Sequence, residues 1–243
     1  IDDVKNMVSE VKRLQDTLGR APRGIVVGGG LLGQAAAEGL KDLGAEPTIL
    51  DVAPWLLSVE VDQGGGYAVN AQIKATGIEI ETGVYISGIN KDADGNVVSV
   101  SIADSPSEDA EIRTLPADMV VFGAGIRPND ELARDADLAL GERGGVLVND
   151  ACHSSDEHIW AIGEVACVLG RTWGLVAPAN AMADAVAANL LNDNEEAQVE
   201  EFDIATKLKF SGVQVAGFGD RRGTTEGCLE VLFADPARGM YQK

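Results

Sequence analysis

The sequence is short of the residues on which several enzyme classes depend. Only three of its 243 residues are cysteine, and Cys152, Cys167 and Cys228 are scattered and odd in number. They form neither a disulfide framework nor a Cys-x-x-Cys redox pair, so a reducing, cytoplasmic location is expected. Two histidines, His153 and His158, and no Gly-x-Ser-x-Gly turn leave no Ser-His-Asp triad to assemble. Cys152, His153, Asp156 and His158 lie close in sequence, but their spacing matches no standard zinc pattern and no metal is expected. No tyrosine is followed by lysine four residues on, which argues against the short-chain dehydrogenase arrangement. Cations are scarce as well. Nineteen Lys and Arg against thirty-nine Asp and Glu give a net charge of −20. Such a surface repels a nucleic-acid backbone and an anionic membrane alike, and it also fits a salt-rich habitat. No apolar run reaches membrane-spanning length and no signal peptide is present. The chain opens on Ile1 rather than Met, as expected of a processed chain or of part of a longer one.

What is present is apolar and small. Hydrophobic residues make up 45%, charged residues 24%, and glycine numbers 29, a balance that suits tight turns and close packing in an α/β nucleotide-binding fold. Val4, Met7, Val8, Val11, Leu14 and Leu18 recur at helical spacing after Asp2 and Asp3, predicting an amphipathic helix over 2–18. A short strand over 24–27, a helix over 31–43 and a strand over 47–50 compose a βαβ unit. A helix over 61–75 and a strand over 78–81 follow. Hairpins are expected over 84–117, turning at Asp94-Gly95-Asn96, and then a buried strand at 119–122. Beyond that come a short helix over 129–136, strands at 146–148 and 159–162, a small-residue helix over 180–191, an acidic surface stretch over 192–201 and a strand-like segment over 205–243. The expected organisation is a linker helix (1–21), a Rossmann-like dinucleotide-binding domain with a β-meander (22–124), a second α/β segment (125–193) and a strand-rich tail (194–243).

The sharpest chemical signal is Gly28-Gly29-Gly30-Leu31-Leu32-Gly33. Gly28 permits the tight turn, Gly30 lets backbone approach a pyrophosphate, and Gly33 packs helix on strand, with Leu31 and Leu32 opening the helix whose amides meet the phosphate. The motif follows a strand, opens a helix and is answered by Asp51 at the end of the second strand, about 20 positions on, where a ribose hydroxyl is bound. A glycine-rich turn without a ligand is the plainer alternative. The Asp51 carboxylate favours a ribose diol over a 2′-phosphate, and residues 52–59 hold no Lys or Arg, so NAD is favoured over NADP. No side-chain acid or base stands out and the catalytic residues stay unknown, which suits a site where a bound cofactor carries the chemistry.

Three segments make the chain resemble the flavoprotein reductases with two dinucleotide-binding domains, the pyridine nucleotide-disulfide oxidoreductase superfamily. They are the 28–33 turn with Asp51, Gly123-Ala124-Gly125-Ile126-Arg127-Pro128-Asn129, and the run from Ser154 through Trp160 to Gly163-Glu164. Within it, Gly125-Ile126-Arg127-Pro128-Asn129, Gly163-Glu164, Gly174-Leu175-Val176-Ala177-Pro178 and Ala205-Thr206-Lys207-Leu208-Lys209 are similar to the large subunit of NAD(P)H-dependent nitrite reductases. The resemblance implies a NAD-binding domain followed by the returning part of a FAD-binding α/β domain, with Gly125 at the crossing and Gly163 and Glu164 on the flavin chain. It implies a FAD-binding half before Ile1 and a siroheme and iron–sulfur portion after Lys243, and hence that this chain alone does not retain FAD. Open strand edges are expected to favour self-association. Two departures stand out. Ala35 occupies a position where the family usually has Glu facing nicotinamide and flavin, and Ser58-Val59-Glu60 replaces the usual Glu-Arg.

The leading expectation is therefore an oxidoreductase module passing a hydride from NADH to FAD in a nitrite-reductase-like, nitrate-assimilating flavoprotein. The alternative is a non-catalytic dinucleotide-binding or assembly module with a degenerate site. A free-standing dehydrogenase lacks a visible proton relay.

Overall fold

The computed structural model describes residues 2–191, 197–202, 205–210, 212–220 and 224–243. Part of the acidic stretch expected over 192–201, namely 192–196, lies outside the described residues. The chain divides into two compact units, Ile1–Gly125 together with Thr206–Lys243, and Ile126–Ala205.

The first unit is built on a parallel sheet. Helix α1 (Asp2–Leu18) leads into β1 (Arg23–Val27), α2 (Leu31–Asp42), β2 (Glu46–Asp51), α3 (Gln63–Ala75) and β3 (Glu79–Thr82). An antiparallel meander follows, β4 (Tyr85–Lys91), β5 (Val97–Ala103) and β6 (Ile112–Pro116), and then β7 (Met119–Phe122). The sheet order is β3-β2-β1-β7, with Val26 beside Ile49 on one side and Val121 on the other. A strand buried on both faces reads as a continuous apolar run, which is why Ile25-Val26-Val27 shows no alternation. The run at 119–122, expected to be buried, lies at the sheet edge, where Met119 is buried but Phe122 is 60% exposed. Alternate residues still part company. Val26 and Ile49 pack with Leu40 of α2, Ile73 of α3 and Val11 and Leu14 of α1, whereas Ile25 and Leu50 pack with Val100 and Ile102 of the meander. The sheet is thus covered by helices on one face and the meander on the other.

Local chemistry explains the joints. The meander turns where Asp92 accepts the Asp94 and Asn96 amides and Gly95 stands at φ +86°. Helix α1 is tied to the body by Gln15, which donates to the Leu43 carbonyl at 2.9 Å. Next to it, Arg20 makes a two-pronged pair with Asp118.

In the second unit α4 (Glu131–Asp135) precedes a small sheet of β8 (Val146–Leu147), β9 (Ala166–Val168) and β10 (Arg171–Thr172), and α5 (Val176–Leu191) packs on it. Val146, Ala166, Val168, Trp173, Met182 and Phe202 share its core. The strand expected at 159–162 is not formed. Its residues pair with 152–154 through one bridge, His153 with Trp160, flanked by bonds from the Ala161 amide to the Cys152 carbonyl and from the Ser154 amide to the Ile159 carbonyl, and Ile159 and Ile162 stay partly exposed. The apolar run Ile159-Trp160-Ala161-Ile162 thus meets one short stretch of backbone in place of a full partner strand.

Two further hairpins, β11 (Thr206–Phe210) with β12 (Val213–Gly217) and β13 (Phe233–Asp235) with β14 (Met240–Gln242), complete the first unit. Val213 enters its helix-side core, with Leu208 and Val215 beside it.

Candidate functional site

The β1–α2 turn sits at the carboxyl end of the parallel strands, where open α/β sheets bind ligands. Gly28 has φ +113°, and a Cβ there would come within 2.5 Å of the Gly123 carbonyl oxygen. A Cβ on Gly33 would overlap the Gly28 carbonyl, so strand, turn and helix touch backbone to backbone. Gly30 has open space around it and is the N-cap of α2, without a side-chain cap. The first bond within the helix runs from the Gln34 amide to the Gly30 carbonyl at 3.1 Å. The amides of Leu31, Leu32 and Gly33 precede it, and at a helix N-terminus such groups together with the dipole favour an anion.

Asp51 closes the turn from β2. Its carboxylate accepts the Gly29 amide at 2.6 Å and the Ala53 amide at 2.9 Å. A carboxylate offers about four acceptor positions, so two remain for ribose hydroxyls. The Gly29 carbonyl is held in turn by the side-chain amide of Gln34 at 2.9 Å and by the Leu57 amide at 3.2 Å. Gln34 is fully buried and its Oε1 has no partner among the described residues.

Gly29 and Gln34 are the two residues that sequence reasoning missed. A Cβ on Gly29 would overlap both Asp51 Oδ2 and Leu56 Cδ2. The signal was a third glycine where the motif allows any residue.

The other expected site residues are placed separately. Gly125, at φ +100° with free space around it, ends the first unit. Ala35 lies exposed at the start of the second turn of α2, and Val59 is 65% exposed on the loop after β2. Gly163, at φ +78°, and exposed Glu164 form a single helical turn in the second unit. Glu164 lies beside Gly174, where a Cβ would stand 3.5 Å from its Oε1. The described residues of this unit include no second glycine turn like 28–33.

Cys152 is buried, with its thiol pushed up by that burial, and His153 stacks edge-on against Trp160 at 4.5 Å. His158 is exposed beside Glu157. No group of three or more His, Cys, Asp or Glu side chains able to hold a metal occurs among the described residues. None of their helices is long and apolar enough to cross a membrane.

Comparison with known proteins adds to this geometry. Residues 2–188 match the family described as pyridine nucleotide-disulphide oxidoreductase. The chain is 40% identical over 223 residues to the NAD(P)H nitrite reductase large subunit of Klebsiella oxytoca, covering 92% of this chain and 22% of that protein. It is 35% identical over 240 residues to the NADH nitrite reductase large subunit of Escherichia coli K12, covering 99% of this chain and 27% of that protein. The chain thus spans about a quarter of the length of these curated relatives. Among solved structures, a ferredoxin reductase from Rhodopseudomonas palustris superposes with a TM-score of 0.71 at 25% identity, covering 93% of this chain and 54% of that one. A NAD-dependent persulfide reductase from A. fulgidus, at 24% identity and a TM-score of 0.73, shares the fold over 91% of this chain and 39% of its own.

Proposed function

Because the chain belongs to the pyridine nucleotide-disulphide oxidoreductase family, we propose that it is the module that takes up NADH and presents it to a flavin in a nitrite-reductase-like protein. The observation that carries this reading is the β1–α2 turn: Gly28 and Gly33 in backbone contact, an uncapped helix N-terminus at Gly30, and the Asp51 carboxylate of β2 bonded to the Gly29 amide at 2.6 Å. NADH supplies the hydride and the flavin of the complete protein receives it.

The chain's own residues bind and orient. Gly28 and Gly30 allow the backbone to approach the pyrophosphate, and the amides of Leu31 and Leu32 donate to it. Gly33 keeps the helix close enough for that approach. Asp51 accepts the adenosine ribose hydroxyls and, holding the Gly29 amide as well, ties ribose position to turn conformation. With no Lys or Arg in residues 52–59, nothing offsets the repulsion between Asp51 and a 2′-phosphate, so NADH is preferred to NADPH. Gly125, Gly163 and Glu164 serve the flavin side. Hydride transfer needs no side-chain proton relay, consistent with a site that offers none. The relatives' names support a place in nitrite reduction, with the flavin half and the siroheme portion belonging to the remainder of a longer chain.

A second reading, dinucleotide binding without hydride transfer, is favoured by Ala35 and Val59, where the family pattern has charge. Anaerobic stopped-flow mixing of NADH with the full-length flavoprotein separates the two. Flavin bleaching at turnover rates supports the first reading. NADH binding with an unreduced flavin supports the second, and no binding at all overturns both.

A further inference from the structure

Helix α3 begins with a run that is poor for a helix, Gly64-Gly65-Gly66, one residue after its cap, Asp62. Two aromatic rings from opposite directions in the sequence explain Gly64 and Gly66. A Cβ on Gly64 would come within 2.6 Å of the Tyr241 ring, and one on Gly66 would overlap the ring of Trp55. Trp55 belongs to the loop joining β2 to α3, and Tyr241 to β14, so the first turn of α3 seats a ring from each.

The two ring partners share more than a surface. Asp62 caps the helix by accepting the Gly65 amide at 2.9 Å, and the same carboxylate accepts the Tyr241 hydroxyl at 2.7 Å and the Lys243 ammonium at 3.2 Å. Lys243 also pairs with Glu230 at 2.7 Å, and Gln72 of α3 donates to the Gly239 carbonyl at 2.6 Å. The β13–β14 hairpin is therefore fastened to α3 at both its strand and its turn.

On the other side of Asp62, the loop 52–61 is drawn down on the glycine turn. Trp55 donates to the Val61 carbonyl, and the Leu56 amide donates to Asn70 of α3. Leu56 and Leu57 are fully buried, Leu57 at φ +55°, and the Leu57 amide holds the Gly29 carbonyl. A continuous set of contacts runs from Tyr241 through Asp62 and the loop to Gly29.

We propose that the β13–β14 hairpin is a clasp on the dinucleotide loop, with Tyr241 and Asp62 as positioning residues that set the conformation of the Gly29 turn and thereby the affinity for NADH. The Tyr241 ring of the clasp accounts for Gly64, and the Trp55 ring of the loop that it secures accounts for Gly66, where a helix would otherwise gain from alanine. It also gives hairpin docking control over nucleotide binding, since whatever lifts the hairpin loosens the loop. The affinity part of this inference rests on the reading of the site as a NADH site; the clasp part does not.

Two substitutions in the full chain test it. Tyr241→Phe keeps the ring and removes the hydroxyl. Gly64→Ala adds a methyl where the ring sits while improving helix propensity, so a purely local role predicts tighter structure and a clasp predicts looser. Amide hydrogen exchange is read without nucleotide at Leu56, Leu57 and Gly29, with the β1 and β2 amides as the control for folding, and NADH is titrated by calorimetry. The expected result is exchange several-fold faster at the three loop amides in both variants, unchanged core amides, and a Kd for NADH raised about threefold in Tyr241→Phe and further in Gly64→Ala. Unchanged exchange overturns the clasp, and faster exchange with unchanged affinity overturns the positioning role. Should the parent chain bind no NADH, the reading of the site falls, while the exchange data still decide whether the clasp exists.

Discussion

Asp51 carries two tasks with one carboxylate. It faces the position where the ribose is expected and also holds the Gly29 amide. Asp51→Ala therefore removes a charge-assisted acceptor and leaves a partly buried donor unpaired, which should weaken NADH binding by roughly 1.5–3 kcal/mol. The preference over NADPH should narrow at the same time, because the repelling charge is gone. Calorimetry with both nucleotides checks this, and a gap that fails to narrow counts against Asp51 as the discriminating group. At Ala35 the expectation runs the other way. Its methyl is exposed at the start of the second turn of α2, so a longer side chain fits without disturbing the core. Ala35→Glu should leave NADH affinity nearly unchanged and speed flavin reduction in the complete enzyme, since misplacement of the nicotinamide by about 1 Å can cost ~100-fold in rate. Stopped-flow rates that stay the same or fall in a folded variant would remove that role from position 35.

At the level of elements, the hairpin clasp has a pH limit. Burial pushes the Asp62 carboxyl up, but the Gly65 amide, the Tyr241 hydroxyl and Lys243 together hold it below its ordinary value of 3.8. A carboxyl whose folded value is depressed stabilises the folded form fully above its unfolded value and loses that contribution as pH falls through the folded one. The facing groups do not titrate in that window: Tyr241 is pushed up to about 12, chiefly by burial and then by Asp62, and Lys243 is raised through Glu230 and Asp62. Exchange at the Leu56 and Leu57 amides should thus rise on acidification below about pH 4, with a midpoint that Asp62→Asn abolishes. An acid limb that survives Asp62→Asn would assign it elsewhere.

This element also marks where sequence reading stops. The β1–α2–β2 unit was legible because helix period, turn glycines and the acidic residue all act within thirty residues of one another. The need for Gly29 was not, because what excludes a side chain there is Asp51 and Leu56 folding back over it. Asp62 and Tyr241 lie 179 positions apart, and no local pattern connects them. The expected strand at 159–162 failed for the converse reason: its apolar run was visible, but a strand needs extended pairing, and 152–154 offers it a single bridge.

For the molecule as a whole, a net charge of −20 on 243 residues means self-repulsion in the compact state. Raising salt from about 0.05 M to about 1 M shortens the screening length from over 10 Å to about 3 Å, so the melting temperature should climb. A melting temperature indifferent to salt would show that the acidic groups are already balanced locally. A second expectation concerns colour. On the reading proposed above, Glu164 is the polar contact offered to a flavin chain, and the sequence holds no second glycine turn like 28–33 to bond its pyrophosphate. Losing even two such charge-assisted bonds weakens binding on the order of 100-fold or more. The 243-residue chain should accordingly be colourless after desalting; a stoichiometric yellow preparation would overturn the assignment of Glu164.

The first unit is discontinuous in the chain: Thr206–Lys243 returns to it after residues 126–205 have formed a unit of their own. During synthesis the faces of α2 and α3 that receive Val213 and Tyr241 emerge long before the residues that cover them. Closing a loop of about eighty residues costs only ~0.6 kcal/mol more than closing one half as long, so the return is cheap at equilibrium. In time it is slow, because everything between must leave the ribosome at about 5–20 residues per second before the hairpins can dock. For several seconds of each chain's life, the dinucleotide loop exists without its clasp.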